Sequence, residues 1–343
     1  MENDPASRDT LSRDPLPASA AGDRIKRKKI GRYEGGHQEM KEIRQAGEIR
    51  IRKGSRLDKE EKERITELTA VCNKADGTCN ELFLTNEFNV FPEMPCFFRA
   101  YPENGDGEPE LAGILIVYAD QETTAEISAY VHPGQRKKGF FSALLHAALE
   151  ECRAFGYQKL EFKTEKAFAG AGEILKQYGA VPLREEYLMI WKEDTQAMVQ
   201  GGGLLAVRPA REGDLEAIAV IQAEAFGDTP EMARRYVESS YQSRDTLLTV
   251  IEDSEKCTGC CCLDISGERA VIFGLCIACA SRGTGQGGRL LQETVRLAAS
   301  QKDEVALCVE AGNETALHLY ERCGFCKATE YRYFGCPIEA VSR

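Results

Sequence analysis

The feature that most limits how this chain can fold is an internal repeat. A shift of 146 residues places Gly113 on Gly259, Gly139 on Gly285 and Leu144-Leu145 on Leu290-Leu291, and a shift of 145 places Gly179 on Gly324. Glycines that recur at matching points of strand, loop and helix end imply one fold used twice. In the first copy, periodicity predicts strands at 48–52, 95–101, 111–118, 125–131, 159–163 and 187–191, with helices at 58–71, 142–155 and 169–178. The second repeats that order, with strands at 204–208, 246–252, 258–264, 270–278 and 305–309, helices at 212–225, 230–241, 287–299 and 314–323, and closing strands.

The expected organisation is a disordered tail at 1–47, an α/β domain at 48–194, a flexible linker at 195–203 around Gly201-Gly202-Gly203, and a second α/β domain at 204–343. A length of 343 residues suits two domains of about 150 residues each. The tail has one aromatic residue, Tyr33, and no strand or helix period. Its basic run Lys26-Arg27-Lys28-Lys29 reads as a solvated cluster. The codons GAG GGA GGA for Glu34-Gly35-Gly36 would resemble a ribosome-binding site ahead of Met40, so the natural start is expected at Met40.

With 44 Lys plus Arg against 55 Asp plus Glu, the formal charge is −11. That opposes a broad grip on nucleic acid or an anionic membrane and mildly favours cationic small partners. No run approaches the roughly 18 apolar residues that cross a bilayer, and no apolar signal segment opens the chain, so a cytoplasmic location is expected. Fourteen cysteines spread through apolar stretches read as buried free thiols. The sequence sets no oligomeric state beyond monomer or homodimer.

The chemistry lies in the loops. An apolar strand carrying Leu275, Cys276 and Ile277 runs into Arg282-Gly283-Thr284-Gly285-Gln286-Gly287-Gly288 and then an amphipathic helix. Such a turn is an anion site, because glycines admit close approach and unpaired helix N–H groups meet the positive end of the helix dipole. No Gly-Lys-Ser/Thr follows, which excludes a Walker loop, and the position after a late strand disfavours a dinucleotide fingerprint. The first copy has Val131 followed by Arg136-Lys137-Lys138-Gly139-Phe140-Phe141 at the same place.

Arg282-x-x-Gly285-x-Gly287 after an apolar strand resembles the coenzyme-binding motif of the GNAT superfamily of acetyltransferases. Asn313, six residues, Tyr320, three residues and Gly324-Phe325 is similar to the helix that follows in that family. The first copy matches the loop but departs downstream, with Phe168 and Leu175 opposite Asn313 and Tyr320. The resemblance implies two GNAT-like mixed-sheet α/β domains in tandem, the first degenerate and the second catalytic. It further implies acetyl transfer from acetyl-CoA to a primary amine of a small molecule or peptide, with no metal.

In that reading the loop residues hold the pyrophosphate, residues 275–277 flank the pantetheine arm and Asn313 orients its amides. A backbone N–H at Cys276 or Ile277 stabilises the developing oxyanion, and Tyr320 protonates the departing thiolate. The attacking amine also needs a base, for which Glu310, Asp264 and ordered water stay open. At an offset of 146, Ile272 stands where the first copy has Glu126.

The pairs Cys257-x-x-Cys260 and Cys276-x-x-Cys279 match zinc-ribbon spacing. Their first-copy counterparts Leu111, Ile114, Tyr130 and Pro133 favour ordinary strand positions instead. A non-catalytic acetyl-CoA-binding or interaction protein is the alternative to an enzyme.

Overall fold

The computed structural model describes residues 41–44, 49–103, 110–192 and 205–341. Most of the expected tail, Met40 and the linker at 195–203 lie outside them. Within the stretch expected to be tail, Lys41–Arg44 forms a strand, β1, paired antiparallel with β2 (Ile49–Gly54). Backbone pairing along a sheet edge needs no apolar alternation, so four residues gave no readable period.

The first copy continues through α1 (Lys59–Asp76), β3 (Phe97–Pro102), β4 (Gly113–Tyr118), β5 (Thr124–Val131), α2 (Phe140–Ala154), β6 (Lys159–Glu165), α3 (Ala171–Lys176) and β7 (Val181–Trp191). The second has β8 (Ala206–Pro209), α4 (Leu215–Phe226), α5 (Pro230–Gln242), β9 (Thr246–Asp253), β10 (Lys256–Asp264) and β11 (Ala270–Ile277). It ends with α6 (Gln286–Ala299), β12 (Val305–Glu310), α7 (Glu314–Arg322) and β13 (Phe325–Pro337). Local chemistry fixes the ends of α1: Asp58 and Glu61 form a reciprocal capping box, and Gly77 closes the C-terminus in a left-handed conformation.

In each copy antiparallel strands lead to one parallel pair, β5–β6 and β11–β12, which a helical crossover makes possible. Those crossover helices bury one face each. Leu290, Leu291, Thr294, Val295 and Ala298 of α6 fall on the spacing of a single helical face and pack under β11 and β12.

The sheets do not close within their own copies. Strand order is β1-β2-β3-β4-β5-β6-β13-β7-β12-β11-β10-β9-β8, so the last strand of each copy crosses to the other. β13 pairs with β6 from Tyr331↔Glu165 to Pro337↔Lys159, while β7 pairs with β12 from Ile190↔Ala306 to Glu186↔Glu310. The hydrophobic cores follow the strands. Phe334, Cys336, Ile338 and Val341 complete the first core, whereas Met189 is buried in the second with Trp191 packed against it. Arg153 donates to the carbonyls of Ile338 and Val341 and ties the C-terminal end to α2.

Candidate active site

The two copies differ in the strand that leads to the loop. β4 and β5 pair without interruption from Gly113↔Val131 to Tyr118↔Glu126. Their counterparts do not: Cys260 pairs with Cys276 and Cys262 with Phe273, so Gly274 and Leu275 together oppose Cys261. This is a β-bulge, in which one residue is left out of the ladder and the strand bends. Gly274 has φ +60°, which a residue without Cβ adopts at least cost.

The bulge also corrects the alignment of the copies. Ala125 pairs with Leu160 as Ala270 pairs with Val305, so Val271, not Ile272, stands where the first copy has Glu126. Ile272 faces the core under α6. The offset is 145 ahead of Gly274 and returns to 146 after it, at Val131 and Ile277.

Beyond the bulge, both loops reach their helices through a left-handed glycine, Gly139 (φ +87°) or Gly285 (φ +86°), with no side-chain cap. The first-turn N–H groups, at Gln286, Gly287 and Gly288 in the second copy and at Phe140 and Phe141 in the first, are thereby left for an anion. Gly283 occupies a left-handed position (φ +77°) that Lys137 fills at φ +62° in the first copy. Arg282 donates from Nε to the Ile277 carbonyl at 2.9 Å, as Arg136 does to Val131 at 3.1 Å.

The two arginines differ in what else they meet. Arg136 makes a bidentate pair with Asp76, at 2.6 and 2.7 Å, and lies over the Phe168 ring. Its charge is thus largely spent within the fold. Arg282 is exposed and has no carboxylate partner among the described residues. Lys137 and Lys138 are exposed, and Lys138 donates to Gln135.

Some expected loop residues are used internally. Gln286 is buried and accepts from the Thr258 hydroxyl at 2.6 Å, leaving its backbone N–H for a ligand. Thr284 donates to the Ser281 carbonyl. The Asn313 carboxamide oxygen accepts from the Ala316 N–H at 3.1 Å and caps α7.

Tyr320, on α7, is half-buried, its ring 6.2 Å from that of Phe325. Burial raises its phenol well above the ordinary value, and the Cys261 and Cys276 thiols add to the rise. The hydroxyl therefore keeps its proton at neutral pH. Leu275 and Ile277 are half-buried and Cys276 is buried.

In the first copy β5 and β6 separate beyond Ile127↔Phe162, and a cavity of about 690 Å³ opens there. Val131, Arg136, Lys137, Gly139, Phe140 and Phe141 line its loop end. Leu175, the counterpart of Tyr320, lines its wall, and Tyr331 reaches it from the exchanged β13. Sequence reasoning missed this contribution, because nothing local marks β13 as a partner of β6. The cavity-lining Lys163 and the neighbouring Glu126 support each other's charge: burial raises the Glu126 carboxyl and Lys163 partly opposes that rise. In the second copy Leu319 and Ile277 approach Gly287, within 3.5 and 3.6 Å of where a Cβ would stand.

The four cysteines at zinc-ribbon spacing do not converge. Cys260 and Cys276 face each other in the core, Cys257 donates to the Gly259 carbonyl and Cys279 is exposed. No group of metal-ligating side chains is placed to hold an ion among the described residues. None of their helices is long and apolar enough to cross a membrane.

The sequence profile of the acetyltransferase (GNAT) family matches residues 63–180 and again 215–325. A mycothiol acetyltransferase of Kineococcus radiotolerans is 30% identical over 223 residues, covering 60% of this chain and 71% of its own length. One from an Arthrobacter species is 25% identical over 289 residues, covering 76% and 88%. Among solved structures, a GCN5-related N-acetyltransferase from Sphaerobacter thermophilus superposes with a TM-score of 0.61 at 23% identity, over 80% of this chain and 92% of that one. A tandem GNAT protein from the clavulanic acid biosynthesis pathway gives 0.60 at 16% identity, over 84% and 98%.

Proposed function

Since the chain belongs to the GNAT family of acetyltransferases, in which it carries two copies of the domain, we propose that it moves an acetyl group from acetyl-CoA to a primary amine, with the chemistry in the second copy. The observation that carries this reading is the bulge in β11 together with Tyr320 on α7, whose phenol has Cys276 of that strand as a neighbour. Acetyl-CoA supplies the activated thioester carbon.

The chain's own residues do the rest. Backbone N–H groups opening α6 and the Arg282 guanidinium suit the pyrophosphate, and an uncapped glycine N-terminus is what that anion requires. Leu275, Cys276 and Ile277 offer backbone groups to the pantetheine arm. A strand N–H freed by the bulge is preorganised to stabilise negative charge on the acyl oxygen. Tyr320 holds its proton at neutral pH and donates it to the leaving thiolate. Relatives named for mycothiol support a small-molecule acceptor, and the acidic chain suits one with a cationic amine.

One observation favours a second reading. The cavity in the first copy lies beside Glu126 and Lys163, so that copy has space for a coenzyme and a carboxylate able to take a proton from an amine. Thiol release from acetyl-CoA, measured across small amines, aminoglycosides and peptide N-termini with coenzyme stoichiometry in parallel, tests the proposal. Release with at least one acceptor is expected. Coenzyme binding with no release from any acceptor would make this a binding protein instead.

A further inference from the structure

Five of the fourteen cysteines lie on β10 and β11, at Cys257, Cys260, Cys261, Cys262 and Cys276. Cys257 donates to the Gly259 carbonyl, Cys261 lies beside Thr294 and Cys262 beside Ser240. One pair differs: Cys260 and Cys276 are direct partners in the antiparallel ladder, and their sulfurs stand 3.4 Å apart. Directly opposed residues have Cα atoms about 4.5–5.5 Å apart, inside the roughly 4.4–6.8 Å that a disulfide spans. Closing the bond therefore needs a rotation of two side chains and little backbone movement. The first copy has Ile114 and Tyr130 at these positions, so the fold does not require sulfur there.

We propose that Cys260 and Cys276 are a site of reversible oxidation by peroxide, closing to a disulfide that pins the bulged strand and switches off the second-copy centre. The Cys276 sulfur, on a residue 6% exposed where Cys260 is fully buried, attacks one peroxide oxygen as the O–O bond breaks, giving a sulfenic acid and water. The Cys260 sulfur then displaces the sulfenic hydroxyl, which leaves as a second water with the Cys260 proton. Two thiols and one hydrogen peroxide become one disulfide and two waters, and a dithiol reductant reverses the change.

Position makes the bond consequential. Gly274 and Leu275, the bulge itself, lie between Phe273 and Cys276 in the strand. The Cys260 thiol donates to the Gly274 carbonyl at 3.8 Å, a contact that the disulfide abolishes. Cys276 is also one of the residues beside Tyr320. The hydrogen bond with Cys276, and then burial, hold the Cys260 thiol protonated.

The loss of activity rests on chemistry in the second copy, but the cross-link does not, and the two are read separately. Trypsin cuts after Lys256, Arg269 and Arg282, which puts Cys260 and Cys276 in different peptides. After graded hydrogen peroxide, non-reducing mass spectrometry of the full chain is expected to show peptide 257–269 joined to peptide 270–282. The link should vanish in Cys260→Ser and Cys276→Ser and persist in Cys257→Ser and Cys279→Ser, with circular dichroism reporting the fold of each variant. Acetyl transfer should fall in step with the linked fraction and return with dithiothreitol. A link that survives Cys260→Ser or Cys276→Ser in folded protein, or peptides that oxidise without joining, overturns the site. A link with undiminished acetyl transfer leaves the cross-link standing and overturns the switch, while loss of thiol release in Gly285→Glu reports separately whether the second copy carries the chemistry.

Discussion

The two copies share an order of elements, a loop and a glycine N-cap, yet differ in strand, loop and helix. The first has an open cavity, a bidentate Arg136–Asp76 pair and Leu175. The second has the bulge at Gly274, Tyr320 and an Arg282 with no carboxylate partner among the described residues. Fold and chemistry are thus separable here. The ladder, the crossover helix and the buried faces are kept in both copies, while three local changes in strand, loop and helix set the copies apart.

The sharpest break of this comparison is a charge placed in each phosphate loop. Gly285→Glu sets a carboxylate and a side chain at a left-handed position against a bound anion. Acetyl transfer should fall on the order of 100-fold, whereas Gly139→Glu should leave most of it. Steady-state thiol release decides, and a loss confined to the Gly139 variant hands the chemistry to the first copy. Equal in size, Tyr320→Phe should lower kcat by about 100-fold, as loss of a general acid does. Acetyl-CoA affinity by calorimetry should be unchanged, and an unaltered kcat would remove the phenol from the mechanism.

The bulge gives a smaller effect. Gly274→Ala forces a side chain into left-handed backbone and should cost about 1–2 kcal/mol. Ser128→Ala in the uninterrupted β5 should cost much less, and equal shifts in thermal midpoint would show that the bulge is not what distinguishes the strands. Smallest is Glu126→Gln. Burial raises the Glu126 carboxyl above its usual 4.5, so its folded form prefers the proton. That contribution is present below 4.5 and is lost as pH rises through the folded value. The variant should therefore gain more in thermal midpoint at pH 7 than at pH 4, with acetyl transfer intact. Lost transfer would instead make Glu126 a catalytic base.

Much of this was legible because it is local. The loops at Gly139 and Gly285 and the amphipathic face of α6 follow from spacing within a few residues, and the repeat follows from matching such short patterns 146 residues apart. The exchange of β7 and β13 was not, since an alternating strand carries no mark of which neighbour it joins. The bulge left a faint trace in the offset, which changes by one residue across Gly274. Read as a single shift of 146, that trace disappears, and Ile272 is mistaken for the partner of Glu126. The bidentate pair that occupies Arg136 joins residues 60 positions apart, beyond the reach of any motif.

The crossed strands also bear on how such a gene can change. Deleting either copy removes the closing strand of the one that stays, exposing the edge of β6 or of β12 and uncovering part of its core. A return to a single-copy ancestor would first have to restore each strand to its own sheet, through intermediates with an open edge. Duplication is in this sense ratcheted: neither copy can be discarded, so a copy relieved of one task remains in place and is available for another.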